Sequence, residues 1–322
     1  MGDEILLQLD LEYPRTFQEF EVWFATEARC REYLARLRWP KGFYCPQCDL
    51  RAKPWITERG YLRCRDCRHE TSITAGTLFE GTRKPLRDWY HAMWFVTSQK
   101  HGASALGLQR VLGLGSYQTA WTWLHKMRRA MIVSGRDRLT GAVEVDESFI
   151  GAPEEDVHGR ETENKAIVVI AAERRGQAVG RIRLQRIEDA SADQLIPFIE
   201  RSVSEGSRVI TDGWLGYAGL VGHGYEHTIK TIKGSGMQAH QLLPRVHRVA
   251  SLLKRWFLGT LQGGVQHRHL DYYLDEFTFR FNRRTSRSRG LLFYRLMQQA
   301  ATTGATPYRD LLGGAERHDH KM

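Results

Sequence analysis

"GAVEVDESFIG", residues 141–151, is the stretch on which the reading of this chain turns. Valines at 143 and 145 alternate with acids at 144 and 146, the period-two pattern of a strand with one apolar face. Beyond a polar loop at 152–164, "KAIVVIAAER" and "GRIRLQRIED" read as second and third strands. "SADQLIPFIERSVSEGS" reads as a helix capped by Ser191, with Asp193 in its first turn. "RVITDGWLGY" is a fourth strand running into a turn, and "EHTIKTI" a short fifth. After Pro244 the pattern is helical to about residue 300.

Three strands, a crossover helix, a fourth strand and then helices is the order of an RNase H-like α/β fold. It predicts a mixed sheet flanked by helices over 140–300. The fold alone gives no function, so its strand ends carry the argument. Asp146 lies on the first strand and Asp212 ends the fourth. These strands are neighbours in this topology, so both carboxylates meet at one edge. Paired carboxylates attract divalent cations, and two cations can clamp the attacking and leaving oxygens of a phosphodiester. The bland reading of "TDG" is turn chemistry. Two aspartates at the right topological places argue for more.

Toward the N-terminus, residues 1–40 read as a helical segment. Two CxxC pairs, Cys45/Cys48 and Cys64/Cys67, are separated by fifteen residues. That spacing marks a tetrahedral zinc site in a ribbon over 41–72, with a hairpin turning at Gly60. A ribbon this small needs the metal in place of a core. Four cysteines close the site, so the zinc is structural. Cys30 reads as a buried free thiol and His69 as a surface residue. Lys41, Arg51, Lys53, Arg63, Arg65 and Arg68 give the ribbon a basic surface suited to DNA backbone. Residues 83–135 read as a helix from about 85 to 100, then a helix, a Gly113–Gly115 turn and a helix ending in Lys126, Arg128 and Arg129. That is helix-turn-helix grammar, shared with any αα-hairpin. Its tryptophans, Trp89, Trp94, Trp121 and Trp123, fit a small core better than base stacking.

The composition, 42% hydrophobic and 26% charged, excludes wholesale disorder. No apolar run approaches the roughly 20 residues of a membrane span. The acidic start, "MGDEILLQLDLEYPRTF", lacks the pattern of a secretory signal. The expected place is the cytoplasm, at the nucleoid. The net charge of +10 suggests a polyanionic partner. It is concentrated late: Pro244 to Arg295 holds eleven Arg or Lys against three acids.

"GAVEVDESFIG", "VITDGWLGY", "VHRVASLLKRWFLGT" and "HLDYYLDEFTFRFNRR" resemble the bacterial insertion-sequence transposases of the ISXO-like, zinc-ribbon group. The resemblance covers roughly residues 40–300. It implies a DDE-type enzyme with an RNase H-like core, Mg2+- or Mn2+-dependent cleavage at terminal inverted repeats, and strand transfer into target DNA. Two ends joined at one target imply at least a dimer on DNA. Asp146 and Asp212 match the family's first two catalytic aspartates, and Lys254 its basic residue. Seven positions before Lys254 stands His247 where the nominal pattern has Glu. Branches of the group carry Asn or His there, so the resemblance implies an Asp-Asp-His site. Seven residues is nearly two helical turns, which puts His247 and Lys254 on one face. A packed or backbone-contacting histidine is the alternative. Glu276 is the competing third acid, although it also suits an ion pair with Arg280. Glu147 is expected on the opposite strand face from Asp146.

"FRFNRRTSRSRG" offers Arg280, Arg283, Arg284, Arg287 and Arg289 as phosphate contacts, and Arg255 adds to them. Asn282 is expected to orient this turn. Trp214, Tyr217 and Trp256 are candidates for stacking on a displaced base, with core packing favoured for at least two. Residues 301–322 are read as a C-terminal tail.

Overall fold

The computed structural model describes residues 13–132, 137–151, 165–231, 236–261 and 266–313. The polar loop at 152–164 lies outside the described residues. In chain order come helices α1 (Phe17–Trp23) and α2 (Glu27–Arg38). The short strands β1 (Trp55–Ile56), β2 (Leu62–Arg63) and β3 (Glu70–Thr71) follow, then helices α3 (Leu86–Ser98), α4 (Ala105–Leu112) and α5 (Tyr117–Ala130). Next are β4 (Ala142–Ile150), β5 (Ala166–Arg175), β6 (Ala178–Ile187), α6 (Ala192–Ser202), β7 (Arg208–Thr211), a 3-10 segment (Leu215–His223) and β8 (Glu226–Ile229). Helices α7 (Ala239–Leu242), α8 (Pro244–Leu261), α9 (Leu270–Asn282), α10 (Arg289–Ala300) and α11 (Tyr308–Leu312) complete the series.

The chain divides into two compact units, Met1–Val133 with Thr285–Gly313, and Ser134–Arg284 with Gly314–Met322. In the second unit five strands form one sheet in the order β6-β5-β4-β7-β8. The β4–β5 and β5–β6 pairs are antiparallel, and β4–β7 and β7–β8 are parallel. This is the mixed sheet of the RNase H-like fold. On one face Val143, Val145, Val169 and Ala171 pack against Leu195, Phe198 and Ile199 of α6. On the other, Val168, Ile170 and Ala172 meet Val246, Val249 and Leu253 of α8 and Tyr273 and Phe277 of α9. Both faces of β5 are therefore covered, which is why its sequence reads as a continuous apolar run. Asn282, expected to orient the basic turn, instead ties α9 to the edge strand β6. Its amide accepts from Ile182 N at 2.8 Å and donates to Ile182 O at 3.1 Å.

The first unit is built on aromatic packing. Phe293 of α10 is fully buried and touches the rings of Phe20, Phe24, Tyr90 and Trp94. Helix α10 thus closes this unit, where the sequence reading had carried the sheet-bearing domain on to residue 300. An amphipathic helix gives no sign of which apolar partner it will find, so the boundary at 284 was hidden. Trp89 and Trp123 stack with centroids 3.9 Å apart, and with Trp94 they are buried. Within the segment 1–40 read as helical, the described residues form two helices, each N-capped by a threonine hydroxyl, Thr16 and Thr26. Gly113 ends α4 in the left-handed conformation, φ +61°, and Ser116 caps α5. Among the described residues no helix is long and apolar enough to cross a membrane.

Candidate active site and metal centre

The cysteine site is built from two matching knuckles. After Cys48 and Cys67 the chain turns left-handed at Asp49 (φ 61°) and Arg68 (φ 65°). Backbone bonds close each knuckle, Cys45 N to Leu50 O at 3.0 Å and Cys64 N to His69 O at 2.9 Å. The Cys45–Cys67 and Cys48–Cys64 sulfurs lie 3.6 Å apart, and all four ligand atoms fall within 4.8 Å of one another. A zinc tetrahedron with sulfur at about 2.3 Å has edges of about 3.8 Å, so the donor set fits this metal. Cys30 is fully buried and takes no part; burial pushes its thiol up to about 12. His69 is exposed. The six basic residues named on the ribbon are exposed as well, with Arg65 and Arg68 over the Trp55 ring.

In the second unit, strand alternation sends Glu144 and Asp146 to one face of β4 and Val143, Val145 and Glu147 to the other. The parallel ladder pairs Glu144 with Ile210; Asp146 lies two residues further along β4, and Asp212 follows directly after β7, beyond the same end of the ladder. Asp212 leads a sharp turn. Its Oδ1 accepts from Trp214 N at 3.0 Å, and Gly213 follows at φ +87°. A Cβ at Gly213 would sit 2.7 Å from Ile229 Cγ2, so only glycine fits there. The turn reading of "TDG" is therefore correct in geometry, and that turn holds the aspartate at the end of β7.

Helix α8 brings His247 to the same face. Its Nε2 is 3.5 Å from Asp146 Oδ2, is buried, and has no hydrogen-bond partner among the described residues. Burial lowers the pKa of this imidazole, helped by His240 and Lys254; Glu144 and Asp212 pull the other way. A neutral imidazole with an orphaned nitrogen beside a carboxylate is a donor set suited to a divalent cation. Even so, among the described residues only the four cysteines form a group of three or more ligands with all atoms within 4.8 Å. Lys254 and Arg255 are exposed on α8.

Glu276 is fully buried on α9 and bonded to Arg280 at 2.8 Å, the ion pair that the i+4 spacing allowed. Glu147 accepts from the hydroxyl of the fully buried Tyr217, on the face opposite Asp146. Tyr217 and Trp256 pack in the two cores, and Trp214 alone of the three is exposed.

The expected basic contacts divide. Arg128 is buried, with its guanidinium 3.4 Å from the Ala103 carbonyl, so it packs helices and presents no charge outward. Arg280 is held by Glu276. Arg284 donates to the Val179 and Gly180 carbonyls, and Arg283 lies 4.1 Å over Phe279. Lys126 is half-buried, which lowers its pKa, and Arg129 is half-buried too. Arg287 and Arg289 are exposed.

One residue that the sequence reading passed over stands out. Glu144 is buried and binds Arg245, two residues before His247. The signal was present in "VEVD", where the period of two puts both acids on one face.

A zinc ribbon joined to an RNase H-like sheet with paired strand-end aspartates defines the class of protein. Residues 138–282 match the ISXO2-like transposase domain, and residues 25–70 match the transposase zinc-ribbon domain. Over 133 residues the chain is 32% identical to an uncharacterized protein in transposable element ISH50 of Halobacterium salinarum. That similarity covers 40% of this chain and 44% of the relative, so the chain spans under half the length of the curated relative it matches. The chain belongs to the ISXO2-like insertion-sequence transposases.

Proposed function

We propose that this chain is a DNA transposase that binds the terminal inverted repeats of its element, hydrolyses a phosphodiester at each end, and joins the exposed 3′-hydroxyl to target DNA. The observation that carries this reading is the His247 Nε2 standing buried and 3.5 Å from Asp146 Oδ2, with no hydrogen-bond partner among the described residues and with Asp212 directly after the neighbouring strand β7. Asp146, Asp212 and His247 would hold Mg2+ or Mn2+, which supplies Lewis-acid stabilisation of the attacking and leaving oxygens. The chain's own contribution is positioning. Lys254 and Arg255, exposed on the helix that carries His247, hold the phosphates flanking the scissile bond. No covalent protein intermediate is required, because placement and charge neutralisation carry phosphoryl transfer.

The ribbon, with zinc in its four cysteines, and the α4–α5 hairpin grip the duplex through the exposed ribbon cations and Arg129. Arg287 adds backbone contacts. Joining two ends to one target calls for at least a dimer on DNA. A protein acting this way works at the nucleoid, in the cytoplasm of its host.

The test is a strand-transfer assay with the element's end DNA, a supercoiled target and Mn2+. Joining by the unaltered protein, lost in Asp146→Asn, Asp212→Asn and His247→Ala, is the expected result. End binding without cleavage or joining would instead leave a DNA-binding protein on a retired enzyme fold. Cleavage without joining would leave a nuclease.

A further inference from the structure

We propose that Glu144 is the positioning residue for His247, a clamp that fastens the first turn of α8 to strand β4 and so sets the histidine against Asp146. This rests on the reading of Asp146 and His247 as metal ligands.

Glu144 is 2% exposed. Its Oε2 accepts from the backbone N–H of Arg245 at 2.7 Å and of Val246 at 3.2 Å. Its Oε1 accepts from the Arg245 guanidinium at 2.9 Å. The other arm of that guanidinium donates to Gly176 O at 2.8 Å, in the turn between β5 and β6. First-turn amides have no acceptor within their own helix, and the positive end of the helix dipole favours a carboxylate there. Helix α8 starts at Pro244, so Glu144 meets two of those amides. His247 follows directly after the two clamped residues.

The strand makes the clamp a ruler. Glu144 and Asp146 are two apart on one face of β4, a separation of about 7 Å set by the extended backbone. One carboxylate fixes where the helix begins, and the other is the group its histidine must meet. A slip of the helix start displaces His247 along the strand by a similar step. Partners that orient a ligating histidine are commonly worth about 10- to 100-fold in metal affinity.

The test uses full-length protein, Mn2+ as the probe, and two readouts: Mn2+ affinity by electron paramagnetic resonance, and thermal unfolding. Glu144→Ala, still folded at the assay temperature, should bind Mn2+ about 10- to 100-fold more weakly. Glu144→Gln, which keeps an acceptor for the amides, should recover part of that loss. Adding Glu144→Ala to His247→Ala should weaken binding no further, because the clamp acts through the histidine. Where Glu144→Ala does not fold, Glu144→Gln and Arg245→Lys carry the comparison. A folded Glu144 variant with unaltered Mn2+ affinity, beside a His247→Ala protein that binds poorly, would overturn the clamp alone. His247→Ala binding Mn2+ like the unaltered protein would overturn the clamp together with the ligand assignment beneath it.

Discussion

His247 Nε2 and Asp146 Oδ2 stand 3.5 Å apart, one on the helix that follows the sheet and the other on its central strand. In the metal site we propose, imidazole takes the place of a third carboxylate, which leaves one negative charge fewer and a softer donor. Imidazole suits manganese better than magnesium. End cleavage should therefore be faster in Mn2+ than in Mg2+ at saturating metal, and His247→Glu should shift the preference back toward Mg2+. Equal or slower cleavage in Mn2+ by an active preparation would count against ligation by His247.

Glu276 should matter to stability and not to chemistry. Its carboxylate is fully buried and its partner Arg280 nearly so, and breaking a buried pair costs about 3 kcal/mol. Glu276→Gln should lower Tm by roughly 10 °C, while joining per folded molecule at low temperature stays near that of the unaltered protein. A hundredfold loss of joining at unchanged Tm would make Glu276 the third catalytic acid.

Zinc removal should affect the first unit selectively. Cys64→Ser leaves three thiolates and an incomplete tetrahedron, so native mass spectrometry should find one zinc on the unaltered chain and none on the variant. The second unit, with its own two apolar cores, should keep its unfolding transition. Full zinc occupancy in Cys64→Ser would contradict the four-cysteine assignment.

Glu173 sets an acid limit on stability. Burial acts to raise its pKa, but the Arg181 side chain and the backbone donors Thr140 and Arg181 outweigh it and hold the carboxyl at about 2, below the ordinary 4.5. A depressed carboxylate stabilises the fold above its unfolded pKa, and that contribution is lost as pH falls through the folded one. Stability should therefore decline between pH 4.5 and 2. Glu173→Gln should flatten this part of the curve in urea titrations, and an unchanged slope would show that the pair carries no linkage.

Two arginines that look alike in sequence should behave oppositely. Arg287 is exposed and Arg128 is buried. Arg287→Ala should weaken DNA binding across all sequences and reduce the salt slope by about 1. Arg128→Ala should lower Tm first, and any binding loss should vanish when corrected for the folded fraction.

The sheet, its strand order and the places of Asp146 and Asp212 in it were legible because alternation, turn residues and a crossover helix are local signals that combine in few ways. The cysteine knuckles were legible for the same reason, since ligand spacing is a short-range property. What stayed hidden depends on partners far along the chain. "FRFNRR" looks like a run of free cations, yet Arg280 and Arg284 are taken up by Glu276 and by carbonyls of the edge strand β6. Glu144 lay in plain view beside Asp146, but its partner is 101 residues away. Nothing in a period of two names that partner.

The closing of the first unit by α10 has a consequence for synthesis. A ribosome makes the ribbon and the α3–α5 helices early, then the whole sheet-bearing unit, and only afterwards the helix with Phe293. Until then Phe20, Phe24, Tyr90 and Trp94 lack a ring that they share when finished. A prematurely terminated chain therefore emerges with an open aromatic seam, a mark that proteases and chaperones act on. The N-terminal unit is thus completed only when synthesis has passed the whole of the sheet-bearing one.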